Sequence, residues 1–82
     1  MHQLKPNIVK GMRDIVGWDQ KTFSEKLNVG NTTVQRFEQK GIARDSTIKL
    51  MELTFKEKGI TFTQDGDYGV IRFPLDKGDN SG

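Results

Sequence analysis

Between Leu4 and Val16 the apolar residues Ile8, Val9, Met12, Ile15 and Val16 recur at spacings of three and four, which places them on one face of a helix. Pro6 fits the first turn of that helix, where a missing N–H loses no partner, and Gly17 closes it. Asp19 is positioned to cap a second helix running to about Leu27, with Trp18 and Phe23 as the flanking pair of a hydrophobic staple. Asn28 can take the left-handed conformation that ends this helix. After Val29 and Gly30 a third helix begins near Asn31, with Val29 and Val34 as a second staple. Val34 and Phe37 give this third helix a narrow inward stripe, so Asn31, Thr32, Gln35 and Arg36 project outward until Lys40-Gly41 stops it.

A loop through Arg44 leads to a fourth helix, capped by Asp45 or Ser46, with Ile48, Met51 and Phe55 turned inward and Leu50 beside them. Lys56 and Lys58 suit the negative end of its dipole, and Gly59 terminates it. Beyond Gly59 the period changes. Ile60 to Thr63 alternates apolar and polar, Gln64 to Gly69 holds an Asp-Gly turn signal, and Val70 to Phe73 is a second β-rich run ended by Pro74. The expected fold is mainly α, four helices over residues 1–59 followed by a C-terminal β-hairpin at 60–74. Residues 75–82, polar and glycine-containing from Asp76 to Gly82, are expected to form a disordered tail.

Composition narrows the function. The chain of 82 residues suits one domain, and with 33% hydrophobic residues nearly every apolar side chain is needed for its core, which leaves little to line a deep pocket. There is no cysteine, and the single His2 sits beside Met1, so neither disulfides, a metal site nor a cofactor is expected. Ser24 and Ser46 lack a neighbouring base, and Asp65 and Asp67 read as turn formers, so an enzyme is not expected. No apolar run reaches the length of a membrane span, and no signal-peptide h-region is present; the expected location is cytoplasmic, with the nucleoid. The net charge of +2 is uneven: residues 1–58 carry 11 Lys/Arg against 7 Asp/Glu, and residues 59–82 carry 2 against 4. A basic body with a less basic appendage suits nucleic-acid binding.

The run Trp18-Asp-Gln-Lys-Thr-Phe-Ser-Glu-Lys-Leu-Asn-Val-Gly-Asn-Thr-Thr-Val-Gln-Arg-Phe-Glu-Gln-Lys-Gly41 resembles the Cro/C1-type (XRE-like) helix-turn-helix family. Gln20, Leu27, Val29, Val34, Arg36, Phe37, Glu38 and Gly41 fall where that pattern wants them. Ser24, Asn28 and Gly30 depart from it, standing where the family usually has Ala, Gly and Ser or Thr. The likeness extends over roughly residues 4–73, through Arg13 and Ile-Val-Gly-Trp at 15–18 to Gly59-Ile-Thr-Phe and Gly69-Val-Ile-Arg. It implies a lambda-repressor-like domain that regulates transcription by laying its third helix in the major groove of double-stranded DNA, with Gln20 reaching a backbone phosphate and bracing the start of that helix.

The side chains are suited to that role. Asn and Gln can make paired hydrogen bonds to adenine, and Thr offers a hydroxyl and a methyl to thymine, so Asn31, Thr32 and Gln35 are the expected base contacts. Lys21, Thr33, Arg36, Lys40 and Arg44 are candidate phosphate contacts. The alternatives are an ordinary solvated face for Asn31, Thr32 and Gln35, a carboxylate partner for Arg36, and plain loop solubilisers in Lys40 and Arg44. One such helix reads few base pairs, so a repressor acting as a homodimer on a palindromic operator is expected. The hairpin edge, with Val70, Ile71 and Phe73, is the expected dimer surface; otherwise it folds back over helices one and four. A rival reading is an antitoxin or protein-interaction module whose hairpin docks a partner protein.

Overall fold

Four helices and a hairpin follow one another through residues 4–75, the part of the chain that the computed structural model describes. Helix α1 (Pro6–Val16) ends at Gly17, whose φ of 82° lets its N–H reach back to the Arg13 and Asp14 carbonyls. Helix α2 (Gln20–Leu27) is capped by Asp19, whose Oδ1 accepts the Thr22 N–H at 2.7 Å. That hydrogen bond holds the Asp19 carboxyl below the usual range. Asn28 then turns the chain with φ 59°, the one non-glycine residue of positive φ among the described residues, and helix α3 (Asn31–Lys40) starts after Gly30. A short polar side chain tolerates this conformation better than any other non-glycine type.

Helix α4 (Asp45–Lys56) departs from expectation at its start. Its cap is Arg44, which offers no side-chain hydrogen bond, whereas Asp45 and Ser46 already lie inside the helix. Asp45 still favours the helix, because its charge sits in the first turn against the positive end of the dipole.

The core joins all four helices to the strand that follows. Val9, Met12, Phe23, Leu27, Val34, Phe37, Met51 and Phe55 are sealed from solvent, and Leu4 and Ile60 complete the cluster. At its centre Phe23 and Phe55 stack with ring centroids 4.8 Å apart, and Trp18 lies 6.0 Å from each. Lys26 lies over the Trp18 ring, its Nζ 5.7 Å from the centroid. Two side chains expected inward lie at the rim: Ile15 is 40% exposed and Leu50 38%. The buried arc of α1 is Val9, Met12 and Arg13, so the charged residue takes inward space and rotates Ile15 outward. On α4 the arc centres on Met51, Thr54 and Phe55, which leaves Leu50 on its shoulder.

Strands β1 (Thr61–Asp65) and β2 (Tyr68–Arg72) pair antiparallel, with Phe62 opposite Ile71 and Asp65 opposite Tyr68. The ladder therefore runs further than the sequence suggests, down to the two-residue loop Gly66-Asp67. Gly66 has φ 63° and Asp67 does not share the positive sign, as a type II′ turn requires. Phe62 and Ile71 share one face of the hairpin and pack on the core, with the Ile71 Cδ1 against Gly11 of α1. The hairpin thus packs on the helical body through this face, while the outer edge of each strand has no neighbour in the two-stranded sheet. The expected tail at Asp76 to Gly82 lies outside the described residues. Among the described residues, no helix is long and apolar enough to cross a membrane.

Gly69 is required by a close approach rather than by its backbone angles. A Cβ there would fall 2.7 Å from Phe62 Cε1, inside van der Waals contact. Gly69→Ala is expected to destabilise the fold by ~1–3 kcal/mol through displacement of that ring. Chemical denaturation checks it; an unchanged midpoint would show that the ring moves aside freely.

Candidate nucleic-acid interface

The surface of interest is the solvent side of α3. Val34 and Phe37 are buried beneath it, while Asn31, Thr32, Arg36, Gln39 and Lys40 are exposed and Thr33 and Gln35 are half-buried. At 100° per residue, Thr32, Gln35, Arg36 and Gln39 follow one outward line at spacings of three, four and seven. Gln39 is a member that the sequence pattern did not single out. Its signal was its seven-residue separation from Thr32, two helical turns on the same side.

The one acidic residue of α3, Glu38, is turned away from this line. Its Oε2 accepts from Arg13 Nε at 2.7 Å and its Oε1 from Arg13 Nη2 at 2.9 Å, a bidentate ion pair whose two side chains are each 8% exposed. Arg13 Nη1 donates in addition to the Trp18 carbonyl at 2.9 Å. Burial by itself would push the Glu38 carboxyl up, but hydrogen bonds from Arg13 and Gln20 and the attraction of Arg13 outweigh it and hold it below the usual range. The Arg13 guanidinium is pushed up in turn, chiefly by its hydrogen bond to Glu38. The pair ties α1, the α1–α2 connection and α3 into one frame. It also leaves the outward face of α3 with cations and amides and no carboxylate.

Gln20 occupies a different place from the one expected. Its Nε2 donates to Glu38 Oε1 at 3.0 Å, so it braces the last third of α3 and not its start. The physical reason is that Glu38, fixed by Arg13, has a lone pair left over beside the first turn of α2. One amide hydrogen and the amide oxygen of Gln20 remain available at the rim of an open polar cleft shared with Asn7, Lys10 and Gln39. The start of α3 is instead capped by Gly30, with no side-chain hydrogen bond.

The remaining basic candidates are solvent-exposed. Lys21 lies in the first turn of α2, Lys40 ends α3, and Arg44 precedes α4. Arg36 is exposed and makes no ion pair among the described residues, so the carboxylate partner considered for it is not formed there. The three hairpin residues are divided: Ile71 packs against the core, Val70 points to the opposite face of the ladder and is half-buried, and Phe73 is 46% exposed beyond the end of β2. Among the described residues, no group of His, Asp and Glu side chains could hold a metal ion. No protein-family model matches the chain, and no curated protein matches it either.

Proposed function

We propose that the chain is a lambda-repressor-like, Cro/C1-type helix-turn-helix transcriptional regulator that binds double-stranded DNA with α3 in the major groove. The observation that carries this reading is the face of α3: amides, a hydroxyl and cations turned to solvent, with the helix's single carboxylate buried and neutralised behind them. A phosphate-rich groove repels exposed carboxylates and attracts such a face. Asn31, Thr32 and Gln35 are assigned to base edges. Lys21, Thr33, Arg36, Lys40, Arg44 and the remaining amide hydrogen of Gln20 are assigned to the backbone. Repression by occupying a promoter is the simplest action for a domain of this kind. A homodimer on a palindrome, joined through the hairpin at Val70 and Phe73, supplies the second half-site.

Selection from a pool of random duplexes followed by titration tests the proposal. Gln35→Ala is expected to weaken binding to the selected duplex by ~1–3 kcal/mol and to relax its sequence preference. Lys40→Ala is expected to weaken all duplexes alike and to lower the salt slope by about one unit. Failure of the unaltered chain to enrich any duplex would remove the proposal.

A second reading, a module that docks a partner protein, is favoured by the exposure of Tyr68, Phe73 and Leu75 at and after β2. It expects a Tyr68→Ser variant to lose partner capture while keeping any DNA affinity.

A further inference from the structure

Away from α3, among the described residues, a second surface reaches the core. A hollow of about 150 Å³ lies between α1, α4 and the start of β1. Its floor is Leu4, Met12 and Ile60, which are themselves core residues exposed by 4%, 1% and 3%, and Phe62 forms one wall. The depression therefore reaches the interior and is not a wrinkle between surface side chains. Apolar hollows of about this size hold water poorly and accept a benzene-sized molecule.

The rim has a definite electrical character. Glu52 and Lys56 stand one helical turn apart on α4, both lining the opening. Glu52 is half-buried and already engaged, whereas Lys56 is exposed and forms no ion pair among the described residues. A ligand seated on the apolar floor thus meets a free ammonium at the mouth, on a flexible stem long enough to fold over it. Small-molecule sites combine an apolar body with one or two polar groups that fix orientation in this way.

We propose that this hollow is a binding site for a small monocarboxylate with a single aromatic ring, its ring on Leu4, Met12, Ile60 and Phe62 and its carboxylate on Lys56. The volume matches one ring. The free cation selects a carboxylate over an amine. Because α1, α4 and β1 all line the site, the occupant ties the hairpin to the helical body. The site is independent of DNA binding, and its test contains no DNA.

The experiment is a titration of the full chain with benzoate, followed by the methyl resonance of Met12, with benzylamine and benzyl alcohol as matched probes. Benzoate is expected to saturate the Met12 shift at millimolar concentration and to bind at least tenfold more tightly than benzylamine. Lys56→Gln, a change at an exposed position, is expected to reduce benzoate affinity about tenfold and to leave benzyl alcohol unaffected. Thr61→Trp, which fills the mouth from the half-buried start of β1, is expected to abolish binding of all three probes. An unmoved Met12 methyl, equal affinity for benzylamine, or unaltered benzoate affinity in Lys56→Gln would each overturn the proposal.

Discussion

Glu38→Ala is expected to destabilise the fold by ~3–5 kcal/mol, because it leaves the Arg13 guanidinium buried without its counter-charge. Against the ~5–15 kcal/mol of a typical small domain that is a large share. Replacing both partners, as Arg13→Met with Glu38→Leu, is expected to recover most of the loss, since no charge is then stranded. Urea denaturation of the two variants and the parent checks this. A double variant no more stable than Glu38→Ala would show that the ion pair itself, and not relief of an orphaned charge, holds the frame together.

The same carboxylate predicts a pH dependence. Glu38 is held below its ordinary value in the folded chain, so the unfolded chain binds the proton more readily. Its stabilising contribution is complete above the ordinary carboxylate range near ~4.3 and is lost as pH falls below it toward the folded-state value. Asp19 shifts in the same direction, so Glu38→Gln is expected to reduce the acid dependence without removing it. Denaturation midpoints measured down to pH 3 decide the point; an unchanged acid limb in Glu38→Gln would contradict the assignment.

Phe55→Ala is expected to cost about 3–5 kcal/mol, from lost transfer energy and the cavity that remains. Phe55 is fully buried and stacks on both Phe23 and Trp18, so it joins α4 to α2 and to the connection before it. Trp18 is the chain's single tryptophan and reports the site directly: its emission should shift to the red as water reaches the ring. Phe55→Leu, nearer in volume, is expected to lose less than about 1.5 kcal/mol. A Phe55→Ala variant within 1 kcal/mol of the parent would mean that the rings close over the gap.

Much of this architecture was legible in the order of residues because it depends on neighbours within a turn or two. The caps at Gly17, Asp19, Asn28 and Gly41, the inward stripes and the change of period after Gly59 are local events, governed by backbone sterics and side-chain spacing. The start of α4 differs from the expected one because three successive residues, Arg44, Asp45 and Ser46, leave the choice of cap to the chain's path out of the loop.

The arrangement of charge on α3 depends on distance in sequence. Arg13 and Glu38 are 25 residues apart, and nothing within either helix says that they meet. A clue was present: each follows a buried valine, Val9 or Val34, by four residues, a position where an unpaired charge would not be tolerated. Recognising them as one pair required the packing of α1 on α3, and with it came the places of Gln20, Ile15 and the carboxylate-free outer face. The residues alone thus determined which elements form and, apart from the shoulders at Ile15 and Leu50, which way their faces look. Only the tertiary structure decided which charges cancel, because opposite charges in a low-dielectric interior act on whatever the fold brings beside them, however far apart they lie along the chain.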